Sequence, residues 1–378
     1  MTITRRDFML GASSLTLLGA PYFNARAEQM AKRNLIVIML RGGMDGLTAV
    51  PPKDKILTSE RPDIEVGGTL PLTSDFDLHP SLTGFHDLWR AGKASVVHAT
   101  SIPYTQRSHF DGQDVMQSGG LTPYAEKTGW LGRGIAAAGL SGLALSLPMP
   151  LILRGGQNPD NYYPARFSLP RQDILDRVAQ SYKGDEAVQA VMSRIQSRPS
   201  SMSYHSGTDA VELARKAALQ IKQADGPRIA VFDIGGFDTH AAQGGADGEH
   251  GEKLSKFDRV LSRLSRGLGD EMDNTLILTV TEFGRKIEQN GGYGTEHGYG
   301  TAILMAGGLL KQSQIFADWP GLSVKHRFEG QDLLATIDAR AIYCSAMATC
   351  FDVDFDKIRR AAFFGHDLPD YRDALFAV

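Results

Sequence analysis

The sequence predicts an α/β protein with a largely parallel central sheet and helices on both faces. Short runs of consecutive apolar residues, typical of strands buried on both faces, recur along the chain. They alternate with longer segments in which apolar residues return at helical spacing, as in repeated βα units. Several of the runs end in glycine-rich turns that carry acidic, hydroxyl or imidazole side chains. Because ligands of such sheets bind at the carboxyl ends of the strands, these turns are the first place to look for a site.

The predicted elements follow from this periodicity. Strands are expected over 34–40, 94–99, 148–153, 228–232, 274–280 and 301–305. Helices are expected over 80–91, 111–118, 173–181, 186–196, 210–223, 252–268, 330–347 and 356–363, with Thr208 or Asp209 as the cap of the fifth. The serine-rich segment 197–206 contains Pro199 and is predicted to be a loop. Cys344 and Cys350 lie six residues apart in a predicted helix and are expected to be buried and free.

The first residues are typical of an export signal. Arg5 and Arg6 form a twin-arginine motif, a modestly apolar segment follows over 11–20, and Ala25-Arg26-Ala27 suits a signal peptidase. We therefore expect residues 1–27 to be a signal peptide read by the Tat translocase, with the mature protein in the periplasm. Residues 28–378 are then expected to form one α/β domain, with 155–206 as a possible cap or insertion.

Charge and hydropathy exclude two classes of partner. The chain carries 40 lysine and arginine residues against 43 acidic ones, for a net charge of −3, and has no basic stripe. A nucleic-acid partner is therefore not expected. No stretch after the signal approaches the ~18 apolar residues of a membrane span, so the mature chain is expected to have no stable one.

The strongest candidate ligands are Asp238 and His240, two residues apart after the predicted strand 228–232. A carboxylate and a neutral imidazole suit zinc, manganese or iron, and carboxylate alone suits magnesium or calcium. Asp45 follows the first strand and is either a metal ligand or a turn residue that bonds its own backbone. Glu282 follows the predicted strand 274–280, and His297 precedes the predicted strand 301–305. Both are further candidate ligands.

Three residues are candidates for catalysis. Ser108 joins a loop to a predicted helix, where its hydroxyl either caps the helix or acts as a nucleophile beside the free N–H groups of the helix terminus. His109 adjoins it. Arg285 is a candidate clamp for an anionic substrate. For Glu296, the roles of ligand, base and solvated surface residue all stay open, and Asp233 is a candidate for supporting a ligand.

Five segments together resemble a bacterial Tat-exported family, the domain of unknown function 1501. They are RGGMDG at 41–46, RSHFD at 107–111, FDTH at 237–240, TEFGR at 281–285 and GTEHG at 294–298. That family more remotely resembles the alkaline phosphatase superfamily of phosphatases, sulfatases, cofactor-independent phosphoglycerate mutases and phosphopentomutases. The resemblance implies an alkaline phosphatase-like three-layer fold and one or two divalent ions, with zinc, manganese, magnesium and calcium all open. It also implies Ser108 as nucleophile, ligands at Asp45, Asp238, His240 and His297, and phosphate or sulfate esters of small molecules or polysaccharides as substrates.

Two departures from the superfamily pattern matter. Many members carry adjacent Asp-His where this chain has Glu282-Phe283, so one imidazole is missing, and His109 is the candidate replacement. The sequence also lacks the motif of formylglycine sulfatases, since the arginine is absent after Ser101-Ile102-Pro103. The missing imidazole motivates an alternative function, a catalytically degenerate binding or assembly protein of the cell envelope. An oxidoreductase is disfavoured because no glycine-rich dinucleotide motif follows the first strand.

Overall fold

A central β-sheet organises the protein. The computed structural model describes residues 32–146, 148–156, 159–161, 172–186, 188–189, 192–193 and 209–377. Thirteen strands lie in these ranges, nine of them in the main sheet. The strands are β1 (Asn34–Arg41), β2 (Leu70–Pro71), β3 (Asp77–Leu78), β4 (Ala94–Ser101), β5 (Gly142–Ala144), β6 (Asp160–Asn161), β7 (Ile229–Gly235), β8 (Thr275–Val280), β9 (Thr301–Ala306), β10 (Ile315–Phe316), β11 (Arg327–Phe328), β12 (Asp332–Leu333) and β13 (Ile337–Asp338).

The main sheet runs in the order β10, β4, β9, β8, β1, β7, β5, β6, and β13 also pairs with β4. Strand β1 lies at its centre, where Val37 is in register with Val231 of β7 and Leu278 of β8. Within the main sheet, the described strand pairs are parallel except those of β9, which runs antiparallel to β4 and β8. The carboxyl ends of β1, β4, β7 and β8 therefore meet the start of β9 at one edge. The prediction of a largely parallel sheet is confirmed.

Helices cover both faces of this sheet. They are α1 (Gly46–Ala49), α2 (Lys55–Glu60), α3 (Thr83–Arg90), α4 (His109–Ser118), α5 (Trp130–Ala138), α6 (Gln172–Ser181), α7 (Ala210–Ile221), α8 (Glu249–Leu268), α9 (Ala339–Phe351), α10 (Phe355–Ala362) and α11 (Arg372–Leu375). In β1, Val37 and Met39 join one buried cluster, whereas Ile36 and Ile38 join another on the opposite face. Since side chains alternate along a strand, a continuous apolar run buries both faces, and the three-layer α/β fold is confirmed.

On one face, α4, α5, α9 and α10 supply the packing. Trp130 of α5 stacks on Tyr343 of α9 with ring centroids 5.0 Å apart, and its Nε1 donates to the carbonyl of Met116 at 2.9 Å. Such an aromatic pair stabilises the core by about 0.5–1.5 kcal/mol beyond the area that it buries. Because Met116 belongs to α4, this contact anchors the helix whose first residue is His109.

On the other face, α3, α7 and α8 pack against the sheet. Helix α3 begins after Leu82, whose side chain cannot cap it. Asp258 of α8 replaces the cap by accepting from the backbone N–H groups of Gly84 at 2.9 Å and Phe85 at 2.8 Å. The carboxylate thus satisfies orphan donors at the helix start and ties α3 to α8.

Two predicted elements are wrong. The segment 148–153 is not a strand, because Pro148 and Pro150 lack N–H donors for a ladder; a 3₁₀ turn covers Leu151–Leu153, and β5 takes the place in the sheet. The helix predicted over 330–347 starts only at Ala339. Asp338 caps it by accepting from the N–H of Arg340 at 2.9 Å, and short strands precede it.

Some of the other predictions are confirmed, and some concern residues outside the described ranges. Asp209 caps α7, as expected, and both cysteines are buried and free. The signal at 1–27, most of the helix at 186–196 and the loop at 197–206 lie outside the described residues, and the cap at 155–206 stays a prediction. None of the helices in the described ranges combines the length and apolarity that crossing a membrane requires.

Candidate metal centre

Four side chains from three loops converge at the carboxyl edge of the sheet. His109 opens α4 after β4, Asp238 and His240 follow β7, and His297 precedes β9. One ligand atom of each lies within 4.8 Å of all the others. The topology explains the convergence, because parallel strands end where the antiparallel β9 begins.

The spacing of these atoms suits a small coordination sphere. Asp238 Oδ1 lies 3.2 Å from His109 Nε2, 3.0 Å from His240 Nε2 and 3.2 Å from His297 Nε2. The Nε2 atoms of His240 and His297 are 2.9 Å apart. Ligands held about 2.0–2.1 Å from a tetrahedral ion lie roughly 3.3 Å from one another, close to these separations.

The far nitrogen of two of the imidazoles faces an oxygen acceptor. His109 Nδ1 lies 2.9 Å from Glu282 Oε1, and His297 Nδ1 lies 2.8 Å from the carbonyl oxygen of Arg107. Because an acceptor there requires the proton on Nδ1, Nε2 is left with its lone pair toward the cluster. Metal-bound histidines have the same tautomer and the same kind of partner.

His240 has an equivalent partner in Glu296. Its Nδ1 lies 3.1 Å from Glu296 Oε2, and the other carboxylate oxygen accepts from Asn290 Nδ2 at 2.7 Å. That hydrogen bond from Asn290 lowers the pKa of Glu296. Glu296, whose role the sequence left open, therefore lies behind a cluster histidine as its acceptor.

His109 Nε2 provides the test of whether a metal fits. The atom is buried and has no hydrogen-bond partner among the described residues, although a carboxylate oxygen of Asp238 lies 3.2 Å away. With the Nδ1 proton directed at Glu282, a lone pair and a carboxylate face each other, which is repulsive unless a cation or a proton lies between them. The hydrogen bond to Glu282 raises the pKa of His109, so the imidazole favours a positive partner at Nε2. A divalent ion bound by these four side chains fits the donor set.

Asp238 is ionised at neutral pH. Burial opposes its charge, but the hydrogen bond from Arg285 at 2.7 Å, the charge of that guanidinium and the neighbouring imidazoles together lower the pKa of Asp238 to about 2. Its carboxylate is thus an anionic candidate ligand that would need no deprotonation before binding a cation.

Arg285 is completely buried and uses its donors within the protein. Besides Asp238, it donates to the carbonyl oxygens of Gly43 at 2.9 Å and Thr295 at 3.0 Å, and to that of Gly42. A guanidinium committed in this way holds three loops together, and all three of its nitrogens contact the protein and are shielded from solvent. This arrangement favours a positioning role for Arg285 over the expected anion clamp.

Glu282 lies behind the cluster instead of in it. The side chain is fully buried, and besides His109 it accepts from the backbone N–H of Gly42 at 2.9 Å and from Gln113 Nε2 at 3.0 Å. Burial raises the pKa of Glu282, but these hydrogen bonds, led by that of His109, leave it below the usual range. Glu282, which was expected to be a ligand, therefore contacts a cluster histidine and is not itself part of the cluster.

Gly42 makes this arrangement possible. Its φ is +115°, and a Cβ there would lie 2.5 Å from the backbone nitrogen of Asp238. Only glycine allows the chain after β1 to turn this close to the loop that carries Asp238.

Asp45 is not brought to the cluster. It is buried at the N-cap of α1 and accepts from Arg61 Nη1 at 2.6 Å, Thr48 Oγ1 at 2.8 Å and Gln243 Nε2 at 2.7 Å. Burial opposes its charge, yet the Arg61 guanidinium keeps the pKa of Asp45 well below its usual range. The turn-residue interpretation describes it better than the ligand interpretation, and Arg61, which sequence reasoning missed, is its partner.

Ser108 stands at the N-cap position of α4, but its side chain makes no capping hydrogen bond. Its neighbours in the chain both contact the cluster, Arg107 through its carbonyl and His109 through its ring. Ser108 is partly exposed, and its backbone N–H donates to the hydroxyl of Tyr104 at 3.2 Å. The hydroxyl is thus not used for capping, the role that would explain serine at this position.

A profile described as "Protein of unknown function (DUF1501)" matches residues 82–344, which is more than half of the chain. The chain belongs to this family. A search of curated proteins gave no match to this DUF1501 protein.

Several solved structures are similar to this DUF1501 protein. Murine ectonucleotide pyrophosphatase/phosphodiesterase 5 is 10% identical with a TM-score of 0.46, covering 91% of this chain and 100% of its own. A sulfatase from Pseudoalteromonas sp. is 14% identical with a TM-score of 0.43, and the match covers 94% of this chain and 74% of the sulfatase chain. The C-terminal periplasmic domain of EcEptC from Escherichia coli, in complex with Zn, is 10% identical with a TM-score of 0.39. The match covers 73% of this chain and 73% of that domain's chain.

Proposed function

We propose that this DUF1501 protein is a periplasmic, metal-dependent hydrolase or transferase of phosphate or sulfate esters. The observation that carries the proposal is the convergence of His109, Asp238, His240 and His297, with each imidazole presenting Nε2 inward. Building such a cluster without a cation is costly, since it gathers lone pairs and a carboxylate at about 3 Å.

One ion is proposed, and zinc suits it best. Three neutral imidazoles and one carboxylate are donors that zinc prefers, whereas manganese, magnesium and calcium favour oxygen. Asp45 is engaged with Arg61 and Glu282 with His109, so neither is proposed as a ligand of a second ion. When bound, the ion would supply charge stabilisation at an ester oxygen and activation of an oxygen nucleophile.

Ser108 is the proposed nucleophile. It lies at the N-terminus of the ten-residue helix α4, where free N–H groups and the helix dipole favour an anionic group. Its oxygen would form a bond to phosphorus or sulfur while the bond to the alcohol oxygen breaks. The serine proton passes to solvent, the departing alcohol takes a proton from water, and a second water or an acceptor alcohol releases the serine.

Export is proposed from the twin-arginine segment. The motif at Arg5 and Arg6 and the Ala25-Arg26-Ala27 step support Tat translocation to the periplasm. That route transports folded proteins, which is compatible with a metal acquired before export.

The experiment is a screen of phosphate monoesters, diesters and sulfate esters with the mature protein in zinc or manganese. We expect hydrolysis of at least one class by the wild type and loss of turnover in Ser108→Ala with metal content retained. Full activity in Ser108→Ala would contradict the assignment of the nucleophile. A metal-loaded protein that turns over no ester class would favour the degenerate binding protein.

A further inference from the structure

A cavity of about 370 Å³ opens beside the metal centre. Helix α4 forms one wall, and the residues before and around the 3₁₀ turn Leu151–Leu153 form the other. Its volume lies at the lower end of small-molecule sites. The side chains relevant to its chemistry are Arg41, Phe110, Asp114, Tyr124, Arg154 and Asp233.

Two side chains, Gln113 and Glu282, connect the cavity to the cluster. Gln113, which lines it, donates to Glu282 Oε1, the same oxygen that lies 2.9 Å from His109 Nδ1. Phe110, also in the lining, directly follows His109. A ligand in this cavity would thus lie next to the first turn of α4, which carries His109 of the cluster.

Two exposed aromatic side chains stand at the cavity. Phe110 is 83% exposed and Tyr124 is 53% exposed, although other apolar residues of α4, such as Val115, are fully buried. Tyr124 also has a φ of 62°, which is unfavourable for a residue with a side chain, and its N–H donates to Asp114 Oδ1 at 2.7 Å. The fold therefore holds aromatic faces in water where a ligand with an apolar face would cover them.

Two carboxylates supply hydrogen-bond acceptors. Asp114 uses Oδ1 for Tyr124, and Asp233 uses Oδ2 for Arg41 Nε at 2.5 Å. The second oxygen of each makes no hydrogen bond within the described part of the chain. Acceptors beside aromatic faces suit a ligand with many hydroxyl groups, because hydroxyls donate to carboxylates and sugar C–H faces pack on rings.

Arg154 adds an available positive charge. Its Nε donates to the carbonyl of Met149 at 3.2 Å, and its two terminal nitrogens make no hydrogen bond to described residues. Arg41, in contrast, is paired with Asp233. An exposed guanidinium with two unused donors is a fitting partner for a carboxylate or sulfate on the ligand.

We propose that this cavity binds an acidic saccharide, the alcohol portion of the ester that the metal centre acts on. The inference rests on the proposed function for its link to catalysis, but the cavity's chemistry stands by itself. A sugar ring lies against Phe110 and Tyr124, its hydroxyls donate to Asp114 and Asp233, and its anionic group pairs with Arg154.

Calorimetric titration of the mature protein with an unesterified uronic-acid trisaccharide, and with its neutral hexose counterpart, tests the proposal. We expect saturable binding of the acidic sugar that Phe110→Ala weakens about tenfold or more, a loss of roughly 1.4 kcal/mol. Arg154→Gln should weaken the acidic sugar by about tenfold while changing the neutral sugar less than about twofold. Val324→Ala and Arg360→Gln, exposed apolar and arginine positions outside the cavity, serve as matched controls.

The outcomes separate this inference from the proposed function. Absence of saturable binding by either trisaccharide, or equal binding by wild type, Phe110→Ala and Arg154→Gln, would overturn the subsite. If simple esters are still hydrolysed in that case, the proposed function stands without it. Saccharide binding that depends on Phe110 and Arg154 in a protein that hydrolyses no ester would keep the subsite and defeat the catalytic proposal.

Discussion

The carboxylate of Glu282 lies 2.9 Å from His109 Nδ1, across 173 residues of sequence. An imidazole from α4 thus stands beside Glu282, at the position where many members of the resembled superfamily carry an aspartate followed directly by a histidine. In this chain Phe283 takes that next position and packs its ring 4.9 Å from that of His109. This contact supports the prediction that His109 takes the place of the missing imidazole.

Replacing Glu282 tests this relationship. Glu282→Gln removes the charge that holds the His109 proton on Nδ1, so we expect zinc affinity to fall about 10-fold to 100-fold. Competition titration with a chelator measures it, and Glu288→Gln, an exposed acid nearby, is the matched control. An unchanged zinc affinity in Glu282→Gln would show that this contact does not orient the ligand.

The Asp45–Arg61 pair predicts a loss of stability without a loss of metal. Asp45→Asn leaves a buried guanidinium without its anion, so the free energy of unfolding should fall by about 3–5 kcal/mol. Asp273→Asn, which breaks the exposed pair with Lys93, should cost less than about 1 kcal/mol. Urea denaturation gives both values. Loss of metal from folded Asp45→Asn would return Asp45 to the set of ligands.

Gly42 predicts a steric effect on the metal centre. Gly42→Ala combines an unfavourable φ with a clash at the backbone of Asp238, whereas Gly68→Ala has a similar sign of φ, +67°, and nothing within 4 Å. We expect Gly68→Ala to destabilise the fold by about 1–2 kcal/mol and Gly42→Ala to cost clearly more and to weaken zinc binding. Equal effects on stability, with zinc binding intact in both, would rule out the clash.

Buried His98 predicts a dependence of stability on pH. Burial lowers the pKa of His98 to about 4, while its Nε2 faces the carbonyl of Val50 at 3.0 Å. The unfolded chain takes up a proton near pH 6.5 and the folded one does not, so this contribution is complete above 6.5 and is lost as pH falls toward 4. The loss amounts to about 3 kcal/mol. Urea denaturation between pH 7 and pH 4 should show a shallower decline in His98→Gln, and equal slopes would contradict the assignment.

The sequence predicted the layers and much of the site because both depend on local patterns. Continuous apolar runs indicated strands buried on both faces, and strand order placed Asp238, His240 and His297 at one edge. Asp45 has the same local pattern, a glycine-rich turn after a strand. The role of Asp45 is decided by its ion pair with Arg61, the residue that follows α2. No feature of the sequence indicates that these two residues pair.

The same limit explains Arg285 and His109. An arginine after a strand is typical of an anion clamp, and the sequence therefore predicted that role for Arg285. In the structure its guanidinium donates hydrogen bonds to Gly43, Thr295 and Asp238. His109 was predicted both as a catalytic candidate beside Ser108 and as the replacement for the imidazole missing after Glu282, and the structure brings it into the cluster with Asp238, His240 and His297. The burial of a side chain and the partners of its hydrogen-bond donors depend on tertiary packing, which the periodicity of the sequence does not reveal.

Metal stoichiometry of the mature protein, exported in its native host and measured by elemental analysis, tests the central claim most directly. We predict one divalent ion per folded chain, its loss in His240→Ala and in His297→Ala, and its retention in Asp45→Asn. A folded wild-type protein that neither contains nor takes up a divalent ion, or one whose metal survives both histidine substitutions, would contradict the assignment of this cluster.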